Sequence, residues 1–234
     1  MILVYSTKRP PPWIAPIEQN AEMIREEMLQ LIEQHYRVMK PYRFHKPQRS
    51  SYEWLTLPFI SWKYRNHKNC RYAPRTISVL ESIPNVVSVS LSRMAPNTAV
   101  TEHQGDTNAI VRNHLGISVP EGLPNCGFRV CQEKRGWQEG KMLPFCDAQP
   151  HEAWNKTDKE RIIMIIDIIR PEYAHIENDV CAMVIATHLL HGIDKQIPFH
   201  KRASAKTLER IIQPVKGLVK AGLPLQRSLQ HVSG

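Results

Sequence analysis

Alternation along the chain singles out the first candidates for chemistry. If Asn108–Gly116 is extended, Asn108, Ile110, Arg112 and His114 fall on one face and Ala109, Val111, Asn113 and Leu115 on the other. An arginine and a histidine then project together from an otherwise apolar stretch. In Val86–Met94, Ser88, Ser90 and Ser92 share one face while Val87, Val89 and Leu91 share the other. Arg161 opens a third run, IIMIIDII, which reads as apolar on both faces and so as buried between layers. Polar groups facing an interior are costly unless they find partners. Several of them on neighbouring strands predict a polar cavity inside a β-barrel. Taken singly, each has a plainer reading: a lone His103 or His114 is a satisfied histidine, Arg112 and Arg161 are ion-pair arginines, and Ser92 bonds its strand neighbours. His188 and His191 (HLLH) are one helical turn apart and spaced to chelate a metal, although a helix surface explains them as well.

The elements that must hold these residues fall into three parts. After the cluster Pro10–Pro12, apolar residues at Ile17, Ala21, Ile24, Met28 and Leu31 recur at three- and four-residue spacing and predict a helix. Trp54–Ser61 reads as a short strand interrupted by Pro58. Residues 86–170 are strand-rich, with turn signals at Pro96-Asn97, Pro120-Glu121-Gly122 and Arg135-Gly136. In the tail, Ile176, Val180, Met183, Val184, Thr187 and Leu190 predict a helix ending at Gly192, and a second helical pattern from Ser204 is broken by Pro214. Helices at both ends of a block of short strands make an α+β chain with a sandwich or barrel at its centre. The expected division is 1–175, with its catalytic core at about 86–171, and a helical extension 176–234 packed on the same domain.

Composition limits the classes. The 234 residues, 42% hydrophobic, are enough for one well-filled domain with decorations. No apolar run approaches the roughly 20 residues that span a bilayer, and the start, MILVYSTKRPPPW, does not read as a secretory signal. Five cysteines without paired spacing predict a reduced, cytoplasmic chain. The net charge of +9 sits on the flanks: 1–75 carries 13 Lys+Arg against 6 Asp+Glu, and 201–234 carries 7 against 1. A solvated basic surface is one reading, and an anionic partner (acidic peptide, lipid headgroup or nucleic acid) is the other. Nucleic acid is disfavoured, because the flanks lack a helix-turn-helix or RNP-like signature.

From Ser92 to Pro171 the chain resembles the aspartyl/asparaginyl β-hydroxylase family of Fe(II)- and 2-oxoglutarate-dependent dioxygenases. The matching pieces are SRMAPNTAVTEHQGDTNAIVRNHLGISVP, CGFRV, WQEGKMLPFCD, HEAWN and RIIMIIDIIRP, in the family's order over about a third of the chain. The resemblance implies a double-stranded β-helix, a distorted jelly-roll barrel with iron in its mouth. It makes His103 and His151 the metal ligands and Arg161 the partner of the distal carboxylate of 2-oxoglutarate, with Ser92, Arg112 and His114 completing the co-substrate site. Two imidazoles leave positions on iron for a bidentate 2-oxo acid and O2, and a guanidinium fork matches a carboxylate.

Two departures stand out. Related oxygenases use His-x-Asp…His, but His103-Gln104-Gly105 puts glycine at the carboxylate's place, with Asp106 one residue on. Asp106 then has three readings: a base beside a metal-bound water, a distorted direct ligand, or a turn residue. Cys146 precedes Asp147 where the family usually has two aspartates, which leaves that corner without an assigned role. The activity implied is hydroxylation of an unactivated C–H bond, with succinate and CO2 as co-products. Lacking a membrane anchor or repeat domain, the chain is expected to act on a small-molecule or peptide substrate, an amino acid or related metabolite, and the basic flanks admit an anionic one. The alternatives are hydroxylation of a lipid or of Asp/Asn in a protein, a non-catalytic ligand-binding barrel, and a nucleic-acid binder.

Overall fold

The computed structural model describes residues 10–42, 53–196 and 205–230. The first nine residues and parts of the basic flanks, including Arg43, Lys46, Arg49, Lys201 and Arg202, lie outside the described residues. Two helices, α1 (Ile14–Gln19) and α2 (Ala21–His35), lead into β1 (Lys40–Pro41), β2 (Trp54–Ser61) and β3 (Tyr64–Arg65). Short helices α3 (His67–Cys70) and α4 (Pro74–Glu81) precede the strand block β4 (Val86–Met94), β5 (Thr98–His103), β6 (Ile110–Ser118) and β7 (Cys126–Val130). It continues through β8 (Glu133–Arg135), β9 (Met142–Phe145), β10 (His151–Asn155) and β11 (Arg161–Ile169). Helices α5 (Glu177–Gln196) and α6 (Ala205–Gln230) close the chain. Contacts divide it into two units: one holds 1–61 and 65–170, the other 62–64 and 171–234.

In the first unit the larger sheet runs β1-β2-β4-β11-β6-β9 and the smaller β5-β10-β7-β8, with neighbouring strands in each order antiparallel. This is the α+β jelly-roll architecture expected. The larger sheet explains the strand alternation. Its outer residues Val89, Leu91, Leu115, Ile117, Met164 and Ile166 pack with Ile17, Ile24, Met28 and Leu31 of α1 and α2. Burial of this face is the main favourable term, at roughly 25 cal/mol per Å². The inner residues Ile163, Phe128, Val130, Trp137 and Phe145 fill the space between the sheets. The predicted N-terminal stripe is correct, since Ile17, Ala21, Ile24, Met28 and Leu31 are all buried. Buried Glu27 accepts from the backbone amides of Arg75 (3.0 Å) and Thr76 (2.7 Å), satisfying donors that α4 leaves open at its start.

Three expectations need correction. The strand after Arg161 is not apolar on both faces, because its inner face begins with Arg161 and carries Asp167, both buried. In the second unit, α5 continues past Gly192, where the predicted stripe ended, and besides Val184 of that stripe it buries Cys181, Ala182 and Ala186. Small side chains let a neighbouring helix approach closely, and a size-weighted reading misses them. Finally, α6 runs through Pro214 without a break.

Candidate active site

Antiparallel pairing sets His103 of β5 directly opposite His151 of β10, with ring centroids 4.2 Å apart. The register slips just beyond, since Ala153 pairs with Val100, so β5 carries an extra residue beside the pair. Such bulges re-aim side chains. Nδ1 of His103 lies 2.8 Å from the Thr101 carbonyl and Nδ1 of His151 lies 2.7 Å from that of Gln149. A carbonyl only accepts, so both rings carry their proton on Nδ1 and present Nε2 as the basic nitrogen, the arrangement a metal requires.

The glycine at position 105 is explained by its neighbour. A Cβ there would lie 1.6 Å from Oδ2 of Asp147, so the Asp147 carboxylate fills the space a side chain at 105 would take. The Gly105 amide donates to the Asp147 carbonyl at 2.8 Å. Asp147 is 1% exposed, and its Oδ1 is 3.6 Å from His151 Nε2. Oδ2 has no hydrogen-bond partner among the described residues. Burial pushes the carboxyl up to about 7, with Asp167 and Asp106 adding to the rise and Arg112 opposing it.

Arg112 donates through Nε and Nη2 to Asp167 at 2.7 and 2.8 Å and through Nη1 to Asp147 at 2.6 Å. Although burial works against its charge, the two aspartates hold its pKa well above the ordinary value. Tyr42 stacks on Trp54 at 4.3 Å, and burial pushes its phenol up to about 12. Trp54 Nε1 in turn donates to Ser92 Oγ at 3.0 Å. His114 accepts from Trp137 Nε1 at 3.2 Å through Nδ1, so its own proton sits on Nε2. Burial, then the charges of Arg161 and Arg112, hold His114 neutral.

Arg161 is different. It is 2% exposed, its guanidinium lies 4.7 Å over the Trp137 ring, and its Nε and Nη1 have no hydrogen-bond partner among the described residues. Burial pulls its pKa down to about 10. An uncompensated buried guanidinium costs several kcal/mol, and a carboxylate is the natural partner for two unpaired N–H groups.

These residues form one continuous lining. Phe128 and Phe145 contact both His151 and His114, and His114 leads through Trp137 to Arg161. Ser92, Arg112, His114, Arg161, His103 and His151 thus share the barrel, whereas Asp106 is exposed on the bend after Gly105. Among the described residues no three His, Cys, Asp or Glu side chains close a metal site. Two imidazoles beside a carboxylate with an orphaned oxygen, and an arginine lacking an acceptor, fit a divalent metal and a dicarboxylic 2-oxo acid.

Comparison with known proteins identifies the family. The family model for aspartyl/asparaginyl beta-hydroxylase matches residues 18–171. The chain belongs to the aspartyl/asparaginyl β-hydroxylase family. It is 31% identical over 166 residues to an ornithine lipid ester-linked acyl 2-hydroxylase of Rhizobium tropici, covering 68% of this chain and 58% of that one. It is also 31% identical to the human aspartyl/asparaginyl beta-hydroxylase, covering 68% of this chain and 21% of that protein. The chain therefore spans about three-fifths of one relative and a fifth of the other. Among solved structures it is similar to HygX of Streptomyces hygroscopicus with nickel and 2-oxoglutarate (TM-score 0.43, 10% identity, 63% of this chain and 79% of that one). A viral collagen prolyl hydroxylase of Paramecium Bursaria Chlorella virus-1 gives a TM-score of 0.39 at 14% identity, with 62% and 90% covered.

In this β-hydroxylase-family barrel, sequence reasoning missed Asp147, Asp167 and Trp137. Asp147 stands four residues before His151 in a loop, where no periodicity applies. Asp167 was hidden in an isoleucine-rich run, and Trp137 stands outside any strand, where alternation gives no facing. The only available signal was that a lone acid in an apolar strand must have a partner.

Proposed function

We propose that this domain uses iron(II), 2-oxoglutarate and O2 to hydroxylate an unactivated C–H bond of an amino-acid-derived substrate, whether free, in a peptide or in a related metabolite. The observation that carries this reading is Arg161, a buried cation with two N–H groups unpaired at the end of a lining that begins with the paired histidines. His103 and His151 would hold the metal through Nε2. Arg161 would pair with the distal carboxylate of the co-substrate, and His114, neutral with its proton on Nε2, would add a donor beside it. Phe128 and Phe145, packed between the histidines, exclude water from the space the co-substrate would cross. When bound, the metal supplies oxygen activation coupled to decarboxylation of 2-oxoglutarate. Burial raises the Asp147 carboxyl to about 7, so it can hold or release a proton near neutral pH, and its Oδ2 has no partner among the described residues. Arg112, bound by two aspartates, orients Asp147 and is less suited to gripping the co-substrate.

Hydroxylation of a lipid acyl chain is a second reading, favoured by the likeness to the Rhizobium lipid hydroxylase. Both readings require the same test. Purified protein given iron and 2-oxoglutarate should form succinate without added substrate, and His151→Ala should not. No succinate from the iron-loaded wild type would refute the assignment. Product analysis with acylated and free amino acids then separates the two substrate readings.

A further inference from the structure

Between β8 and β9 the chain makes a tight turn, Gln138–Lys141. The Lys141 amide donates to the Gln138 carbonyl at 3.2 Å, and Gly140 takes a left-handed φ of +73°. This turn lies against β6 at Gly116. The Gly140 amide donates to the Gly116 carbonyl at 2.9 Å, and the Gly116 amide donates to the Lys141 carbonyl at 3.2 Å. A Cβ at Gly116 would stand 2.2 Å from the Gln138 carbonyl oxygen, so glycine is what lets the turn come this close. Gly116 is two residues beyond His114 and so on the same face of β6. From behind, Glu139 accepts from the Val119 amide at 2.9 Å and pairs with Arg25 of α2 at 3.0 Å. The docked turn delivers Trp137, 4% exposed, to His114.

We propose that Trp137 is a positioning residue for the distal end of the co-substrate, and that it sets the preference for a dicarboxylic 2-oxo acid. Its indole acts on two groups in two ways. Its Nε1–H donates to His114 Nδ1 at 3.2 Å, which leaves the His114 proton on Nε2. Without that donor, a neutral imidazole holds its proton on either nitrogen. In one of those forms Nε2 carries a lone pair where a carboxylate needs an N–H. The ring face lies 4.7 Å from the Arg161 guanidinium, and a flat face fixes the plane that bidentate pairing with a carboxylate requires. His114 and Arg161 are both assigned to the distal carboxylate, so the inference rests on the co-substrate reading above. The plainer role is packing, since Trp137 also lies beside Phe128 with ring centroids 5.8 Å apart. Lost packing would weaken every ligand of the barrel alike, whereas lost positioning weakens only a ligand with a distal carboxylate.

The test titrates the manganese-loaded full chain with two probes, 2-oxoglutarate and 2-oxobutanoate, which keeps the 2-oxo acid but lacks the distal carboxylate. Trp137→Phe keeps an aromatic face and loses the N–H. It should bind 2-oxoglutarate about three- to tenfold more weakly, as the loss of one ordinary hydrogen bond implies, and 2-oxobutanoate as well as the wild type does. Trp137→Leu, which loses the face as well, should weaken 2-oxoglutarate by a further factor of about three. Nitrogen NMR of the metal-free protein reads the ring itself. His114 should carry its proton on Nε2 in the wild type and divide it between the two nitrogens in Trp137→Phe. Equal weakening of both probes, an unchanged affinity for 2-oxoglutarate, or a wild-type proton on Nδ1 would overturn the proposal. The wild-type ring decides even if a variant fails to fold. A wild type that binds neither probe refutes the co-substrate reading, a failure told apart from this one because the tautomer is measured without metal or ligand.

Discussion

Arg112 and Arg161 project into one barrel from the adjacent strands β6 and β11, yet their surroundings are opposite. Arg112 meets two aspartates that balance its charge, whereas Arg161 is deeper, lies on an indole face and lacks acceptors for Nε and Nη1. A satisfied arginine is part of the scaffold, and a stranded one marks where a ligand's charge belongs. The cost of the second is borne by the rest of the fold, as functional sites commonly require.

The largest expected effects come from removing each arginine in turn. Arg112→Met leaves Asp167 and Asp147 buried without their cation, and breaking a buried pair from one side costs about 3–5 kcal/mol. Arg161→Met removes a charge that nothing offsets, so the ligand-free protein should become more stable, by about 1 kcal/mol or more. The same variant should bind 2-oxoglutarate more weakly by roughly 2–5 kcal/mol. Urea unfolding of the ligand-free variants and 2-oxoglutarate titration of the metal-loaded ones measure both. If the two substitutions shift stability in the same direction, the comparison fails.

That opposition was only half legible in the sequence. Period-two alternation put Ser92, and Arg112 with His114, on polar faces, because strand geometry alone decides facing, but it left Arg161 at the head of a run read as apolar on both faces. The ordered family motifs pointed to His103 and His151, which pairing then set side by side. Partners were not legible. Asp147 reaches Arg112 from 35 residues away and Asp167 from 55, through a sheet register that no local pattern encodes. The same limit hid the cause of Gly105, whose missing side chain makes room for Asp147. In the tail, apart from Val184, the buried face of α5 is made of Cys181, Ala182 and Ala186, small residues that carry little weight in a hydrophobic pattern.

A smaller effect tests Asp147 itself. Its carboxyl is raised from 3.8 to about 7, chiefly by burial, so between those values the folded protein binds a proton that the unfolded chain has lost. Its contribution to stability is therefore full in acid and declines as pH rises from about 4 to about 7. Asp147→Asn, an uncharged stand-in for the protonated acid, should flatten that slope in the metal-free protein, being close to neutral at about pH 4 and raising stability at about pH 7 and above. Unfolding midpoints across this range decide it, and an unchanged slope would show that Asp147 is ionised throughout. Gly105→Ala belongs to the same test, since its methyl group would displace the Asp147 carboxylate.

The smallest effect belongs to a third arginine on the outside of the same sheets. Arg129 of β7 donates to Glu152 at 2.7 Å, to Glu102 at 2.9 Å and to the Cys131 carbonyl at 2.5 Å. Its partners neighbour His151 and His103, and Glu102 lies in the bulged stretch, so the network stitches the histidine strands together from behind. It resembles Arg112 in having two carboxylates, but Glu102 is 54% exposed, and water already solvates much of what the pair would gain. Exposed pairs of this kind contribute about 0–1 kcal/mol and are screened by salt. Arg129→Met should therefore cost about 1 kcal/mol or less, and that cost should fade in high salt, while the cost of Arg112→Met persists because its aspartates are buried. Unfolding both variants at low and high ionic strength separates burial from partner count. If Arg129→Met is as damaging as Arg112→Met and equally insensitive to salt, then the number of carboxylates matters more than their burial, and a lack of partners would no longer single out Arg161 as the ligand's arginine.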